Sequence, residues 1–374
     1  MGYVLISFLS WLILRFLVLR RLPCGRPART VLSCLFFLPI LYYAYLQASC
    51  FIVLPEPSFG TAILMGAWCG TVLIAAPPAS AGVLCLMRFG RKKSMRRVGA
   101  GACLIFSLFF SSVLVLCGLR EGLSVPSVQE VSVNLPAGCD ALDGIRMAVI
   151  SDLHLGCATP PGWLEETLRR IKEARADIIL LDGDLSDGRP EDRRSDLARL
   201  GTLEAPFGVW AVPGNHEYYV DYAGIMAALP DSVHVLANSH ARLRTSLGTF
   251  VLAGVTDRKA RARGLPGPDI EKALSGLSGD GAIGPVLLMS HRPAGWSRNA
   301  ARGVVLQICG HTHGGQFIWN RLFLRLIGRR YLHGLFERNS SLLWVGSGAS
   351  QWFGFPLRVG VPPEIAVLNL HAGS

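Results

Sequence analysis

Five short motifs bring together side chains of the types that bind divalent metal ions. Near the C-terminal end, Gly310 to Gly315 carries His311 and His313, two imidazoles separated by one residue. In an extended backbone, alternate side chains point to the same side, so both rings can face one ion. The other four motifs, in chain order, are Asp152-Leu153-His154, Gly183-Asp184, Gly214-Asn215-His216-Glu217 and Ser290-His291.

The mixture of ligand types restricts the chemistry. Carboxylate, carboxamide and imidazole groups suit borderline or hard divalent ions such as manganese, iron, zinc or magnesium, and no cysteine cluster indicates a closed structural zinc site. Two such ions about 3.5 to 4 Å apart can share a water molecule and lower its pKa toward neutrality. A nucleophile of this kind needs no serine or cysteine.

Short apolar runs precede the first three motifs and predict β-strands. These runs are Ile145 to Ser151, Asp177 to Leu181 and Gly208 to Val212. Between the first two, Leu164, Leu168 and Ile171 recur at helical spacing, and Thr159 before two prolines predicts the start of that helix. Because ligands generally bind at the carboxyl ends of strands in such a sheet, we expect the motifs to share one cleft.

Further apolar runs predict a second set of strands with fewer helices between them. They are Phe250 to Val255, Pro285 to Met289, Val304 to Cys309, Ser341 to Val345 and Glu364 to Leu370. A first strand is expected between Gly122 and Gly144. The pattern predicts an α/β domain of two stacked sheets covered by helices.

Residues 1–122 have a different composition, which predicts a transmembrane helical anchor. Four apolar stretches approach the roughly 20 residues that cross a bilayer. They are Tyr3 to Leu19, Val31 to Leu54, Phe59 to Met87 and Val98 to Leu119. Pro77 and Pro78 are expected to end or kink the third, and the first is no cleaved signal peptide, because its positive charges follow the apolar run. Residues 123–374 form the second domain.

The net charge of +11 is distributed unevenly along the chain. Residues 1–118 carry +10 and the remaining 256 residues +1, so no nucleic-acid partner is expected. Basic loops follow spans one and three, whereas Glu56 is the only charged residue in the loop after span two. By the positive-inside rule both basic loops are cytoplasmic, which predicts an integral, multi-pass membrane protein with an extracytoplasmic catalytic domain, periplasmic or extracellular.

Three of the ten cysteines, Cys139, Cys157 and Cys309, lie outside the membrane part. An odd number offers no complete disulfide framework. Cys157 and Cys309 are close in sequence to the candidate ligands, and thiolates bind soft metals. The interpretation as small buried residues is favoured.

The motif set resembles the calcineurin-like metallophosphoesterase superfamily. Within it, Asn215 to Tyr219, Ser290 to Pro293, Gly310 to Gln316 and the segment Gly354 to Arg358 resemble the membrane-anchored bacterial branch of YkuE-like and YaeI-like phosphodiesterases. The multi-span anchor is similar to that of transmembrane proteins with a metallophosphoesterase domain. This resemblance implies a four-layer α-β-β-α sandwich of two mixed sheets and a centre of two divalent ions.

The resemblance also implies roles for individual residues. Asp152, His154 and His313 would hold one ion, Asn215, His291 and His311 the second, and Asp184 would bridge them. His216 would be catalytic, donating a proton or hydrogen bond to the departing oxygen.

Three basic groups are candidates for contact with substrate or membrane. Arg292 and Arg358 could hold a phosphate through bidentate contacts or form ordinary salt bridges. The segment Asn320 to Leu332 mixes arginines with apolar residues, which suits an anionic bilayer surface or a packed element with solvated arginines. Arg258, Lys259, Arg261 and Arg263 favour a solvated loop.

The sequence therefore predicts a membrane-bound dimetal hydrolase acting on a phosphoester, in particular a phosphodiester, of an envelope or lipid-linked substrate, with membrane lipids as partners. One alternative is a pyrophosphatase of the UDP-2,3-diacylglucosamine type in lipid precursor metabolism. Another is a catalytically inactive membrane scaffold. The native metal pair and the oligomeric state stay open.

Overall fold

The structure is a computed structural model that describes residues 2–48, 56–90, 92–277 and 284–373. The chain forms two compact units. Met1–Glu121 and the short segment Phe355–Leu357 make up the first unit. Gly122–Gly354 and Arg358–Ser374 make up the second.

The first unit is helical. Its helices are α1 (Gly2–Ile13), α2 (Arg26–Ala48), α3 (Phe59–Phe89) and α4 (Lys93–Gly122). Three of them, α2, α3 and α4, are long and apolar enough to cross a membrane among the residues described. Apolar side chains on α4 such as Ile105, Phe106 and Phe109 are exposed, as expected of a surface that faces lipid.

Two expectations about the anchor differ from the structure. The first predicted span, Tyr3 to Leu19, is an α-helix only as far as Ile13, beyond which the backbone continues as a π-helical turn to Val18 and a 3₁₀ turn to Arg21. Pro77 and Pro78 do not end α3, which runs through both. Neighbouring helices and local adjustment allow prolines inside a membrane helix. The predicted end of the second span at Leu54 lies outside the described residues.

The second unit contains two mixed six-stranded sheets, as predicted. The first sheet has the order β1-β12-β2-β3-β4-β5, in which only the β12–β2 pair is antiparallel. Its strands are β1 (Ser127–Ala137), β2 (Arg146–Ile150), β3 (Ile178–Asp182), β4 (Val209–Val212), β5 (Val233–Val235) and β12 (Glu364–Gly373). The consecutive parallel strands β2, β3 and β4 place their carboxyl ends at one edge.

The second sheet has the order β10-β11-β9-β8-β7-β6, with antiparallel pairs at its two ends. Its strands are β6 (Ser239–Thr245), β7 (Gly248–Gly254), β8 (Val286–Met289), β9 (Val304–Cys309), β10 (Gly334–Arg338) and β11 (Ser341–Val345). Its central strands β7, β8, β9 and β11 are mutually parallel. The carboxyl ends of β8 and β9 are therefore neighbours.

Alternation along the strands builds two hydrophobic layers. Met147 and Val149 of β2 point into a core shared with Leu287 and Ile308 of the second sheet. The intervening Ala148 and Ile150 face the opposite way, into a second core. Both cores are fully buried, so the strand ends that carry the polar motifs are held by close packing.

Helices bury apolar residues against both sheets. They are α5 (Trp163–Glu173), α6 (Pro190–Ala198), α7 (Tyr222–Ala227), α8 (Ile270–Ala273) and α9 (Trp296–Ala300), whereas α10 (Ile318–Leu326) has no buried residue. Leu164, Leu168 and Ile171 of α5 pack on the first sheet, as their spacing predicted. The predicted start at Thr159 is wrong: Gly162 precedes the first turn, and the Thr159 hydroxyl accepts a hydrogen bond from the Gly156 N–H instead.

Candidate metal centre

Loops at the carboxyl ends of five strands carry all seven predicted ligands. Asp152 and His154 follow β2, Asp184 follows β3 and Asn215 follows β4. From the second sheet, His291 follows β8, and His311 and His313 follow β9. The structure thus brings together residues from both halves of the domain.

The first cluster joins Asp152, His154 and His313, whose ligand atoms all lie within 4.8 Å of one another. The Nε2 atoms of His154 and His313 are 3.2 Å apart. The Asp152 Oδ1 atom is 3.2 Å from Nε2 of His313 and 3.8 Å from Nε2 of His154. All three side chains are buried, so one carboxylate and two ring nitrogens converge on a single point.

The second cluster joins Asp184, His291 and His311. Its shortest contact is 3.0 Å, between Asp184 Oδ2 and His291 Nε2. The same oxygen lies 3.7 Å from Nε2 of His154 in the first cluster. One carboxylate oxygen of Asp184 is therefore within reach of both clusters.

Hydrogen bonds at the Nδ1 atoms orient the imidazoles. The Nδ1 atom of His291 is 2.7 Å from the carbonyl oxygen of Asp182, and that of His313 is 3.2 Å from the carbonyl oxygen of Ser350. Because a carbonyl oxygen only accepts, Nδ1 is the donor in both rings, which leaves Nε2 as the atom that would bind an ion in place of a proton. This arrangement is usual for histidines that bind metals. The residues present thus fit a pair of divalent ions.

Close backbone approach in these loops requires glycine. A Cβ atom on Gly214 would lie 2.2 Å from Asp184 Oδ1, and a Cβ atom on Gly310 would lie 2.4 Å from Asp152 Oδ2. Neither distance is tolerated between non-bonded atoms. The glycines of these two motifs therefore make room for the carboxylates of the centre.

Five of the seven ligands have a left-handed backbone conformation. Their φ angles are 57° for Asp152, 42° for His154, 52° for Asp184, 66° for His311 and 47° for His313. Residues other than glycine seldom adopt this region, and each costs of order 1–3 kcal/mol. Such strain persists where the surrounding structure fixes the backbone, and five of the predicted ligands carry it here.

Asn215 occupies the edge of the second cluster together with Arg292. The Arg292 guanidinium donates to Asn215 Oδ1 at 2.6 Å and also contacts Nε2 of His311. Its Nε atom donates to the carboxylate of Asp257 at 2.5 Å. Arg292 thus lies at the centre, as expected of a residue near the substrate, and Asp257 fixes its orientation.

Arg358 has a different position from the one expected of a phosphate ligand. Its side chain is fully buried and donates to the carbonyl oxygens of Ser347 at 2.8 Å and Val361 at 3.1 Å. One Nη atom also lies 3.3 Å from Nδ1 of His313. The guanidinium therefore braces the loop behind a metal ligand, and the expectation that it grips substrate is corrected.

His216 is buried beside the first cluster. Its backbone N–H donates to Asp184 Oδ1 at 2.8 Å, and its Nδ1 atom lies 2.5 Å from Oδ1 of Asp187. The Nε2 atom is 3.9 Å from Asp184 Oδ2. The ring therefore presents Nε2 toward the centre while Asp187 holds its other side.

Asp187 and Glu217 support the centre in ways that the sequence motifs did not predict. Asp187 also contacts Nδ1 of His154 at 3.2 Å, so it supports one metal ligand and the candidate catalytic ring at once. The Glu217 carboxylate accepts hydrogen bonds from the N–H groups of Asp184, Leu185 and Gly214 at 2.7–3.1 Å, tying the loops after β3 and β4 together. A signal existed, since both carboxylates occur two or three residues beyond a predicted ligand.

The charges of the centre shift pKa values in opposite directions. Burial alone would favour the neutral ring of His154, but Asp187 and Asp184 raise its pKa to about 9. Burial also favours the neutral ring of His291, but the Asp184 and Asp152 carboxylates raise the pKa of this ring well above its usual value. Burial raises the pKa of Asp184, yet His291 and His216 together hold it well below its ordinary range. Asp184 is therefore ionised and available as a ligand.

The two histidines after β9 differ from those rings. Burial lowers the pKa of both His311 and His313. For His311 the neighbouring charges of His291 and Arg292 lower it further. Both rings are therefore neutral at physiological pH, the form in which imidazole binds metals. Among the described residues, the groups able to hold a metal contain only Asp and His, so no cysteine takes part.

Comparison with known proteins agrees with this centre. The sequence profile of the calcineurin-like phosphoesterases matches residues 145–315. An uncharacterized metallophosphoesterase of Helicobacter pylori is 34% identical over 257 residues, covering 68% of this chain and 66% of the relative. A transmembrane protein with metallophosphoesterase domain from Danio rerio is 28% identical over 302 residues, covering 76% and 68%.

The Bacillus subtilis metallophosphoesterase YkuE is 29% identical over 240 residues, covering 62% of this chain and 80% of the relative. The chain thus spans a little less than two thirds of the Helicobacter pylori relative. Three findings indicate the same family: the buried Asp and His clusters at the strand ends, the two mixed sheets and the sequence similarity. The chain belongs to the calcineurin-like metallophosphoesterases.

Proposed function

We propose that the chain hydrolyses a phosphoester, and specifically a phosphodiester, with the help of two divalent ions. The observation that carries this proposal is the position of Asp184 Oδ2, 3.0 Å from Nε2 of His291 and 3.7 Å from Nε2 of His154. A carboxylate shared between two ligand sets is what a pair of adjacent ions requires. The preference for diesters rests on the resemblance to membrane-anchored phosphodiesterases.

In this proposal each residue has one task. Asp152, His154 and His313 would hold one ion, Asn215, His291 and His311 would hold the other, and Asp184 lies within reach of both sets of ligands. The ions supply a water activated as nucleophile and positive charge for the phosphoryl oxygens. His216 donates from Nε2 to the departing oxygen while Asp187 fixes its ring. Arg292, beside Asn215 and His311, contributes a guanidinium for a phosphoryl oxygen.

The test uses the full-length protein in detergent with bis-p-nitrophenyl phosphate, after chelation and after adding back manganese, iron, zinc or magnesium. We expect no turnover of the chelated protein and restoration by at least one of these ions. Monoesters and lipid pyrophosphates are assayed in parallel, because they distinguish phosphatase and pyrophosphatase activity. Absence of turnover on every substrate, together with no bound metal, would favour an inactive scaffold.

The exposure of helix α10 supports the proposal that the substrate is carried by a lipid. None of its nine residues is buried, and Leu322, Phe323 and Leu326 are more than half exposed. Positions 318–332 include Arg321, Arg325, Arg329 and Arg330 and no Asp or Glu. An apolar surface flanked by arginines is typical of helices that lie in the interface of an anionic bilayer.

The chain ties this helix to the metal-binding loop. The Asn320 side chain donates to the carbonyl oxygen of Gly315 at 2.8 Å, only two residues beyond His313. The backbone N–H of Ile318 donates to Val359 at 3.0 Å. A helix fixed in this way would place the centre close to any bilayer on which α10 lies. We therefore propose a substrate whose phosphoester belongs to a membrane lipid or a lipid-linked molecule.

An extracytoplasmic position of the catalytic domain is part of the same proposal. The arginines that precede α2 and the basic residues between α3 and α4 both favour the cytoplasmic side. The candidate spans are α2, α3 and α4, and α1 is not one of them. If α2 begins on the cytoplasmic side, three crossings put the residues after α4 on the outer side. A reporter fused to the C-terminus tests this, and a cytoplasmic result would favour a pyrophosphatase of the UDP-2,3-diacylglucosamine type.

A further inference from the structure

A cavity of about 540 Å³ lies beside the second cluster. Ser290, His291 and Arg292 form one of its walls, so it is continuous with the residues that carry the centre. Arg258, Arg261 and Arg298 and Asp269 contribute to its lining. Arg258 and Arg261 were expected in a solvated loop, and both line this cavity.

The cavity has more positive than negative charge. Five arginines and three carboxylates line it. Each carboxylate already has a partner: Asp257 binds Arg292, Asp269 accepts from the Lys272 N–H at 3.0 Å, and Glu271 pairs with Arg302. Two of the three carboxylates are therefore paired with arginines, the third accepts a backbone hydrogen bond, and the lining keeps an excess of two positive charges.

The remaining arginines are Arg258, Arg261 and Arg298. In the described part of the chain, none of the three forms an ion pair with a carboxylate. Their side chains are exposed and line the same cavity, so three guanidinium groups border one space. Guanidinium groups bind phosphate and carboxylate through two parallel hydrogen bonds, and an anion in this space would have several such donors around it.

We infer that this cavity binds a second anionic group of the substrate, a phosphate, beyond the ester that is hydrolysed. The inference rests on the proposed function, because it names the substrate class of the same centre: a phosphodiester with an additional phosphate on the side of the second cluster. A substrate of this kind contacts His291 and Arg292 with its ester and the arginine group with its second phosphate. Arg258, Arg261 and Arg298 then determine specificity.

Equilibrium binding tests the cavity without requiring turnover. Titration calorimetry on the full-length protein, with metal chelated, compares thymidine 3′,5′-bisphosphate with thymidine 5′-monophosphate as probes. We expect the bisphosphate to bind at least about tenfold more tightly, because its second phosphate adds charge-assisted hydrogen bonds from the arginines. In the double variant Arg258→Ala/Arg298→Ala this advantage should disappear.

Arg244→Ala is the matched control, since Arg244 is exposed on β6 and does not line the cavity. The Arg244→Ala variant should still bind the bisphosphate more tightly than the monophosphate. Equal binding of both probes by the unmodified protein would overturn the inference, as would an advantage that survives in the double variant.

A kinetic comparison separates this inference from the proposed function. The p-nitrophenyl esters of the same two nucleotides at the 5′-phosphate are offered to the metal-loaded protein, and we expect a lower KM for the one with the 3′-phosphate. If neither ester is hydrolysed while the binding advantage persists, the proposed function fails and the anion cavity stands. If both are hydrolysed with equal KM and equal binding, the cavity fails and the function stands.

Discussion

The Oδ1 atom of Asp187 lies 2.5 Å from Nδ1 of His216, while the other carboxylate oxygen of Asp187 is 3.2 Å from Nδ1 of His154. One side chain thus orients both a candidate catalytic ring and a ligand of the first cluster. Groups that support metal ligands typically contribute 10- to 100-fold to metal affinity or activity, so about that loss of kcat is expected from Asp187→Ala.

Asp187→Asn retains an oxygen that can accept from Nδ1 and should therefore lose less activity than Asp187→Ala. The measurement is kcat and KM on bis-p-nitrophenyl phosphate, with the exposed Asp231→Ala as the control. Equal effects of the two Asp187 variants would show that orientation by hydrogen bonding is not its role.

The variants Asp184→Asn and His216→Ala should both abolish turnover but differ in metal content. Asp184 contacts both clusters, whereas His216 Nε2 is 3.9 Å from the shared oxygen and its Nδ1 atom is bound to Asp187. Plasma mass spectrometry of the purified variants should therefore find metal lost only from Asp184→Asn. Metal loss from both would make His216 a ligand.

Substitution Gly214→Ala should reduce metal binding and activity without any change in a ligand. The added methyl group would meet Asp184 Oδ1 at 2.2 Å, and overpacking of this kind costs typically about 1–3 kcal/mol. Gly346→Ala is a suitable control, since its Cβ atom would meet its nearest neighbour, Ser151 Oγ, at 3.4 Å. Thermal unfolding and bound metal are measured for both, and similar values would refute the steric argument.

The variant Leu322→Glu/Phe323→Glu should act selectively on lipid-borne substrates. These side chains are 55% and 57% exposed on α10, so their replacement removes no core contact. The expected result is a decrease of about tenfold in the rate on a phosphatidyl-p-nitrophenol in phosphatidylglycerol nanodiscs relative to the rate on bis-p-nitrophenyl phosphate. Leu247→Glu, at a side chain 58% exposed in the turn between β6 and β7, should leave that ratio unchanged.

Removal of metal should lower the temperature of unfolding. A ligand that binds only the folded state stabilises it by about 2.7 kcal/mol at a hundredfold excess over Kd. Scanning calorimetry of the chelated and manganese-loaded protein should therefore show a higher Tm in the loaded sample, and Asp184→Asn should show little difference. A Tm that does not respond to manganese in the unmodified protein would argue against a structured ion site.

The ligand set could be predicted from the sequence because each of its residues follows an apolar run that becomes a strand. Residues such as Asp152, Asp184 and Asn215 are separated widely in sequence, but β2, β3 and β4 are adjacent and parallel. The proximity of these three residues can therefore be predicted from the pattern of the strands alone, without knowing how the side chains pack. The strands Val304–Cys309 and Ser341–Val345 have the bounds that their apolar runs predicted.

What the sequence left unpredicted depends on packing. Nothing local distinguishes Arg358, which is fully buried against carbonyl groups, from the arginines at the surface. The strands β5, β6 and β10 carry intermediate or exposed residues at most positions, so their apolar runs are too weak to be recognised. The change of α1 into a π-helical turn at Leu14 likewise leaves no mark in an apolar sequence.

Each predicted ion would have ligands from both sheets, and this gives the centre a mechanical role. His154 and His313 are 159 positions apart in the chain, yet their Nε2 atoms are separated by only 3.2 Å. An ion between them would act as a cross-link that closes a long loop, and such closures restrict the unfolded chain more as the loop lengthens. Binding of the ions would link the two sheets to each other. The same side chains would then contribute both to catalysis and to the stability of the contact between the sheets.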